Sequence, residues 1–105
     1  VVSSGDHLLF SDSAYGPTAR FCERRLNAMG IEAERFDPRS GGEIASLFRP
    51  NTKAIFLEAP GSLTFEITDT PAIVAAASQR GIRTILDNTW GAGLLHQPLA
   101  LGVDI

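Results

Sequence analysis

Short apolar segments with strand character alternate with helix-forming segments along the chain, and this alternation constrains the fold more than any other feature of the sequence. The predicted strands are His7 to Ser11, Glu32 to Phe36, Lys53 to Glu58 and Ile82 to Asp87. Helical segments of 7 to 13 residues lie between them. Strands joined through helices form βαβ units, which build a parallel sheet with right-handed crossovers. The sequence therefore predicts a three-layer α/β fold with a mostly parallel sheet.

Each predicted helix has an apolar face or a clear start, and a residue that ends it. The first predicted helix runs from about Pro17 to Met29 and has Cys22, Leu26 and Met29 on one face. The second runs from Glu43 to Arg49 and has Ile44, Leu47 and Phe48 on one face. The third begins at Thr70 as N-cap, with Pro71 at its first position. Gly30, Pro50 and Gly81 follow the three helices and terminate them.

The composition indicates a globular protein and excludes several classes of partner. The 105 residues allow one domain at most, and 44% of them are hydrophobic and 20% charged. The net charge is −3 and no basic cluster is present, which argues against nucleic acid and anionic membranes as partners. No apolar run approaches the roughly 20 residues of a membrane-spanning helix. Cys22 is the only cysteine, so no internal disulfide can form, as expected in a reducing cytoplasm.

The two ends of the sequence resemble the interior of a longer chain. There is no initiator Met, and the last residues, Gly102 to Ile105, resemble the start of a further strand. Four strands with half-covered faces would also make a small sheet that lacks neighbours. We therefore expect residues 1–105 to be a piece of a longer protein.

Three polar loops follow three of the strands: Asp12 to Gly16, Glu58 to Ser62 and Asp87 to Trp90. The carboxyl ends of parallel strands lie at one edge of a sheet, so we expect these loops to meet there and to form a cleft for a small ligand. Asp87 falls where a buried apolar run stops. A partly solvated carboxylate there needs a partner, which could be a cation, a metal ion or a protonated ring nitrogen.

The same loops carry a family resemblance. The motifs Asp12-Ser13-Ala14-Tyr15-Gly16-Pro17-Thr18, Phe56-Leu57-Glu58-Ala59-Pro60-Gly61-Ser62-Leu63-Thr64-Phe65-Glu66 and Asp87-Asn88-Thr89-Trp90 closely resemble those of the cysteine/methionine-metabolism family of pyridoxal-phosphate-dependent enzymes. Within this family they are most similar to the cystathionine β-lyase branch, and the resemblance covers essentially the whole chain. It implies that residues 1–105 form the central part of the cofactor-binding large domain of fold type I, the fold of pyridoxal-phosphate-dependent transferases.

The resemblance implies that pyridoxal 5'-phosphate is the cofactor and that two residues bind its ring. Asp87 would pair with the protonated ring nitrogen, which allows the ring to act as an electron sink. The aromatic ring of Tyr15 would lie over the cofactor, and its phenol could help proton transfers at the substrate.

Three further loop residues receive roles from the same resemblance. Relatives such as the γ-lyases carry Asn-Pro where this chain has Ser62-Leu63, so the Gly-Ser version points to the β-lyase branch. Ser62 and Thr89 are expected to contact the cofactor. Thr89 is also expected, with Asn88 and Trp90, to orient Asp87 and to line the cleft.

Lys53 is the only lysine of the chain, and it lies at the amino end of its strand, the wrong edge of the sheet for a Schiff base with the cofactor. The family's Schiff-base lysine belongs to a later Ser-x-Thr-Lys segment that this chain does not reach, so the chain alone should be inactive. His7 and His96 are single and separated, so no metal site is expected. The side chains predicted to be structural are Cys22 in the core, and Glu66 and Asp69 in loops or caps.

The activity implied by the resemblance is that of a carbon–sulfur lyase, which converts cystathionine into homocysteine, pyruvate and ammonia in methionine biosynthesis. The substrate would be a small thioether amino acid, and the enzyme a cytoplasmic homotetramer with active sites across dimer interfaces. Two alternatives remain open. One is another reaction of the same family, such as that of a cystathionine γ-synthase, a cystathionine or methionine γ-lyase or a cysteine desulfhydrase. The other is a non-catalytic α/β binding module of flavodoxin-like or receiver-like type.

Overall fold

The computed structural model describes residues 1–105 as a four-stranded parallel sheet with helices on both faces. The strands are β1 (His7–Ser11), β2 (Glu32–Phe36), β3 (Thr52–Glu58) and β4 (Arg83–Asp87), in the order β2-β1-β3-β4 across the sheet. All three neighbouring pairs are parallel. The four predicted strands are therefore confirmed, with the starts of β3 and β4 each displaced by one residue.

Burial explains why these segments form the centre of the sheet. Every residue of β1 is buried, as expected for a central strand of a parallel sheet that is covered on both faces. In β3, the side chains of Ala54, Ile55 and Leu57 have no exposed surface. In the edge strand β2 only Phe36 is fully buried, because one side of that strand has no neighbour.

The crossover from β1 to β2 is helical but changes geometry on the way. Helix α1 (Gly16–Arg20) continues directly into a π-helical segment (Phe21–Leu26). Cys22 and Leu26 are buried, as predicted. Met29 is exposed, contrary to the prediction, because it lies in the turn beyond the helical residues. Gly30 has a φ of +76° and ends the crossover as expected.

The crossover from β2 to β3 is a 3₁₀ helix (Gly41–Leu47). Compared with the predicted helix, Glu43 to Arg49, both its first and its last residue lie two positions earlier in the sequence. The backbone of Phe48 is already extended, with a ψ of 129°, so Phe48 lies beyond the helix, but its side chain packs against the same core cluster as Leu47. Residues three apart lie on one side of a 3₁₀ helix, which directs Ile44 and Leu47 towards the core.

Helix α2 (Thr70–Ser78) forms the crossover from β3 to β4, with Pro71 in its first turn as predicted. The prediction of Thr70 as N-cap is wrong. The cap is Asp69, whose Oδ1 accepts a hydrogen bond of 3.1 Å from the backbone N–H of Ala72. Thr70 is unavailable because its side chain is buried and its hydroxyl faces the carbonyl of Thr68 at 3.4 Å.

Two hydrophobic clusters lie on opposite faces of the sheet and make the fold three-layered. The larger cluster packs α2 and the 3₁₀ helix against one face, and its members are Leu9, Phe36, Ile44, Ile55, Leu57, Ala59, Ile73, Ala77, Ile82, Leu86 and Val103. The smaller cluster packs α1 and the π-helical segment against the other face, and its members are Leu8, Phe10, Ala19, Cys22, Leu26, Ile31 and Ala54. The predicted three-layer α/β architecture is confirmed.

The last residues of the chain extend the hydrogen-bonding pattern of β4. The N–H of Leu86 donates to the carbonyl of Ile105 at 2.9 Å, and the N–H of Ile105 donates to the carbonyl of Thr84 at 3.1 Å. This is the pattern of a parallel ladder. Gly102 to Ile105 do not form a strand in the structure, but Ile105 lies where a strand beside β4 would begin.

Candidate functional site

The three polar loops meet at the carboxyl edge of the sheet, as predicted from the strand ends. Ser11, Glu58 and Asp87 are the last residues of β1, β3 and β4. Glu58 and Asp87 are register partners on neighbouring strands, so their backbones are about 5 Å apart. A tyrosine, a serine and two carboxylates therefore share one edge although up to 72 residues separate them in sequence.

The first two loops are joined through Ser13. The N–H of Ser62 donates to the carbonyl of Ser13 at 2.8 Å, and the hydroxyl groups of Ser11 and Ser13 are 2.8 Å apart. A Cβ atom on Gly61 would lie 2.6 Å from the Cβ of Ser13, closer than real Cβ contacts allow. Only glycine therefore lets the second loop approach the first this closely, which places Ser62 beside the start of the Tyr15 loop.

Glu58 links the end of β3 to Tyr15. Its side chain is 4% exposed, and its Oε2 accepts a hydrogen bond of 2.6 Å from the backbone N–H of Tyr15. Burial raises the pKa of the Glu58 carboxyl above its ordinary value, and the charge of Asp87 raises it further. The hydrogen bond from Tyr15 acts in the opposite direction, because it favours the ionised carboxylate.

Tyr15 occupies the N-cap position of α1, and its backbone is held from two sides. Its carbonyl accepts a hydrogen bond from the N–H of Ala19 at 3.0 Å, while its own N–H donates to Glu58. The side chain remains 55% exposed at the carboxyl edge. An aromatic ring on a fixed backbone with a free face is suited to stack on a planar ligand.

Asp87 is half-buried, and Thr89 orients its carboxylate. Oδ1 of Asp87 accepts hydrogen bonds from the backbone N–H of Thr89 at 3.0 Å and from the Thr89 hydroxyl at 2.5 Å. Oδ2 has no hydrogen bond within the chain. Thr89 therefore does orient Asp87, as the sequence predicts, and leaves one oxygen free for a ligand.

Asn88 and Trp90, the neighbours of Thr89, make different contacts. The side-chain amide of Asn88 donates to the carbonyl of His96 at 2.9 Å and so folds the loop onto itself. Trp90 packs edge-to-face on Phe65, with ring centroids 5.3 Å apart and an angle of 73°. This aromatic pair joins the third loop to the second. Phe65 has a φ of +59°, a conformation that costs a non-glycine residue about 1 kcal/mol.

An apolar cavity of about 390 Å³ adjoins the site without including its polar residues. It lies between the second and third loops and is lined by Ala59, Pro60, Ile67, Trp90, Gly91, Leu95 and His96. Tyr15, Ser62 and Asp87 border the same edge but do not line this cavity. The polar and apolar parts of the site are therefore adjacent and distinct.

The chemistry of these side chains fits the ring of pyridoxal phosphate. Asp87 offers an unengaged carboxylate oxygen to a protonated ring nitrogen, and Tyr15 offers an accessible aromatic face. Ser62 adds a half-exposed hydroxyl close by. These three residues and Thr89 would hold the ring.

Lys53 does not reach this edge. It is exposed near the amino end of β3, five residues from Glu58, which corresponds to about 16 Å along the strand. No group of three or more His, Cys, Asp or Glu side chains is arranged to hold a metal ion. None of the helices combines the length and the apolar character needed to cross a lipid bilayer.

Glu58 and Phe65 are site residues for which the sequence suggests no role. A signal for Glu58 exists, because this carboxylate directly follows the apolar run Ala54 to Leu57 and a buried carboxylate requires a donor. No comparable signal exists for Phe65, because its positive φ and its contact with Trp90 depend on a loop conformation that composition does not reveal.

Comparison with known proteins gives a consistent result over the whole chain. The family model described as Cys/Met metabolism PLP-dependent enzyme matches residues 1–105. A protein of Rhizobium johnstonii named putative cystathionine beta-lyase is 49% identical over 104 residues, which is 99% of this chain and 26% of the relative. Cystathionine beta-lyase MetC of Escherichia coli is 43% identical over 106 residues, 99% of this chain and 27% of the relative.

Solved structures share the fold closely. A cystathionine gamma-lyase from Lactobacillus plantarum, complexed with L-serine, superimposes with a TM-score of 0.93 at 35% identity over 98% of this chain. A putative O-acetylhomoserine (thiol)-lyase from Campylobacter jejuni, whose structure contains N'-pyridoxyl-lysine-5'-monophosphate, has a TM-score of 0.93 at 36% identity. The chain covers 27% and 26% of these two proteins, about a quarter of their length.

Proposed function

The chain belongs to the Cys/Met metabolism family of pyridoxal-phosphate-dependent enzymes, and we propose that it forms the central part of the large domain of a carbon–sulfur lyase of the cystathionine β-lyase type. Its fold is that of the fold-type-I enzymes of this class. Family membership favours an enzyme over the non-catalytic binding module. The observation that carries the proposal is the Asp87 carboxylate, which Thr89 orients at a strand end with one oxygen free.

Pyridoxal phosphate supplies an electron sink that stabilises negative charge at the substrate carbon next to the amino group. Asp87 keeps the ring nitrogen protonated, because a carboxylate at short range raises the pKa of that nitrogen. Tyr15 holds the ring plane by stacking, and its phenol is available to carry a proton between substrate and solvent. Ser62, on the loop that Gly61 brings against Ser13, adds a hydroxyl contact.

The substrate we propose is cystathionine or a similar thioether amino acid, which reacts with one water molecule overall to give homocysteine, pyruvate and ammonia. Cleavage of the bond between Cβ and sulfur by elimination requires removal of the proton on Cα, which a lysine outside this chain would perform. The apolar cavity beside Trp90 would keep water from the sulfur-bearing arm of the substrate. A cytoplasmic homotetramer is part of the proposal and comes from the family resemblance.

Substitution of Asp87 in the full-length enzyme tests the cofactor assignment. Asp87→Ala should weaken cofactor affinity at least tenfold and remove most turnover while the fold is retained, because the ring nitrogen loses its counter-charge. Asp87→Glu should be milder, because the charge is kept and only the geometry changes. Asp12→Ala is the matched control, since Asp12 is an exposed carboxylate at the same sheet edge that pairs with Arg35. Near-native turnover of Asp87→Ala would contradict the proposal.

A γ-elimination of the same substrate is the second candidate, because a cystathionine gamma-lyase is among the close structural neighbours. Product analysis of the full-length enzyme with cystathionine separates the two reactions. Pyruvate and homocysteine identify the β-lyase, whereas 2-oxobutyrate and cysteine identify the γ-lyase.

A further inference from the structure

Glu58 is a buried carboxylate at the site for which the proposed function has no use. It is the last residue of β3, and the Tyr15 N–H that it binds lies 43 residues away in sequence. The contact is short, at 2.6 Å, and joins a charged acceptor to a backbone donor. Hydrogen bonds of this kind are about twice as strong as bonds between neutral groups.

The backbone of Tyr15 does not need a buried carboxylate as its acceptor. A neutral acceptor, such as a backbone carbonyl or a serine hydroxyl, would satisfy the Tyr15 N–H without the burial of an ionisable group. Placing an ionisable group where it is 4% exposed is unfavourable, and the rise in the pKa of Glu58 reflects that cost. Glu58 therefore destabilises the fold and fixes a single backbone N–H, that of Tyr15. Its presence is better explained by the placement of the Tyr15 side chain than by the stability of the loop.

The position of Glu58 connects the two cofactor contacts. Its backbone is in register with Asp87 on β4, and its carboxylate holds the N–H of Tyr15. Glu58 therefore fixes Tyr15, the ring expected over the cofactor, relative to Asp87, the carboxylate expected at the cofactor's ring nitrogen.

We propose that Glu58 is a positioning residue, which sets the aromatic ring of Tyr15 at the correct place over the cofactor relative to Asp87. The inference rests on the proposed function, because it requires Tyr15 and Asp87 to hold pyridoxal phosphate. Glu58 itself does not touch the cofactor and acts through the backbone of Tyr15.

A double-mutant cycle in the full-length enzyme tests this assignment. Glu58→Ala, Tyr15→Ala and the double variant are compared with the wild type by cofactor affinity of the apoprotein and by circular dichroism in the absorption band of the bound cofactor. Loss of ring stacking should weaken affinity about fivefold in Tyr15→Ala. Glu58→Ala should weaken affinity by no more than this and should change the dichroism. In the Tyr15→Ala background, Glu58→Ala should have no further effect on either quantity.

Two further variants control for effects on folding. Glu58→Gln keeps an acceptor of similar size and should give a change of the same sign but smaller, and it replaces Glu58→Ala in the cycle if that variant does not fold. Asp104→Ala removes another carboxylate that accepts a backbone N–H, that of Thr84 at 2.9 Å, near the amino end of β4 and about 10 Å along the strand from Asp87. It should leave the dichroism of the cofactor unchanged.

The outcomes separate this inference from the proposed function. Additive effects of Glu58→Ala and Tyr15→Ala would overturn the inference, because Glu58 would then act independently of the ring. An unchanged dichroism in Glu58→Ala, with a clear change in Tyr15→Ala, would overturn the inference and leave the proposed function intact. A wild-type enzyme that binds no pyridoxal phosphate would contradict both the positioning role of Glu58 and the proposed function.

Discussion

At the scale of single residues, environment separates two carboxylates that the fold places side by side. Glu58 is buried, and its one hydrogen bond comes from the backbone of Tyr15, whereas Asp87 is half-buried and accepts both of its hydrogen bonds on Oδ1, so its free oxygen Oδ2 belongs to a residue that is open to solvent. The first arrangement suits a group that holds the protein backbone. The second suits a group that binds a ligand, because its free oxygen needs no rearrangement before binding.

Tyr15 allows the contributions of a ring and of its hydroxyl to be measured separately. Tyr15→Phe should keep cofactor affinity near the wild-type value, because the stacking ring remains, and should lower turnover only by any help that the phenol gives to proton transfer. Tyr15→Ala should weaken affinity by about 1 kcal/mol, or fivefold. Titration of the apoprotein with cofactor and steady-state kinetics check both expectations. Equal losses of affinity in the two variants would show that the hydroxyl, and not stacking, holds the cofactor.

The convergence of Tyr15, Ser62 and Asp87 is predictable from the sequence because it depends only on where apolar runs end and on the strands being parallel. The contacts that refine the site are not predictable in this way. Glu58 finds the Tyr15 amide 43 residues away, and Gly61 approaches Ser13 because no Cβ intervenes. Such contacts depend on the relative height of two loops to within an ångström, which hydrophobic pattern does not determine.

At the scale of elements, His7 connects three strands at the amino edge of the sheet. It lies at the start of β1 with no exposed surface, and its Nδ1 is 2.8 Å from the Thr52 hydroxyl on β3. Its Nε2 is 3.3 Å from a carboxylate oxygen of Glu34 on β2. Burial lowers the pKa of His7, as does the charge of Arg49, while Glu34 and Glu32 oppose the change.

The lowered pKa of His7 predicts a loss of stability in mild acid. The unfolded chain takes up a proton near the ordinary histidine pKa of about 6.5, whereas the folded protein resists it. The unfolded state therefore binds more protons below this pH, and the free energy of unfolding falls there by up to about 1.4 kcal/mol per pH unit. Denaturant unfolding between pH 5 and 8 should show this fall for the wild type and for His96→Gln but not for His7→Gln. Parallel curves for the wild type and His7→Gln would contradict the prediction.

The start of α2 predicts a measurable capping energy at Asp69. Asp69→Ala should lower the free energy of unfolding by about 1 kcal/mol, because the N–H of Ala72 loses its acceptor. Asp69→Asn keeps an oxygen at the same place and should cost little. Equilibrium denaturation of the two variants measures the difference. Equal stability of the alanine and asparagine variants would show that the Asp69 side chain does not cap α2.

The strands were more predictable than the helices for a physical reason. Buried strands of a parallel sheet tend to be continuous apolar runs. β1 and β3 contain such runs, Leu8 to Phe10 and Ala54 to Leu57, and β4 contains Ile85 and Leu86, whereas the edge strand β2 has only Ala33 and Phe36 as apolar residues. The α-, 3₁₀- and π-helical segments differ in which carbonyl each N–H reaches, and side-chain type records this only weakly. The exposed position of Met29 and the extended backbone of Phe48 follow from that difference.

At the scale of the whole molecule, the sheet separates its one lysine from its ligand edge. Lys53 and Glu58 lie towards opposite ends of β3, about 16 Å apart. Mixing this chain with pyridoxal phosphate and reducing with borohydride should therefore give no specific labelling of Lys53, and the chain should show no lyase activity. Mass spectrometry of the peptides measures the labelling. Near-stoichiometric modification of Lys53 would contradict the view that the catalytic lysine lies outside residues 1–105.

The strand order has a consequence for how the chain acquires its fold during synthesis. Of the four strands β1 to β4, β1 is made before the others, yet it lies between β2 and β3, and its register partners begin 25 and 45 residues later, at Glu32 and Thr52. One edge of β1 can pair only after β2 has been made, and the other only after β3. The strand whose five residues are all buried in this fold must therefore wait for both of its partners during synthesis.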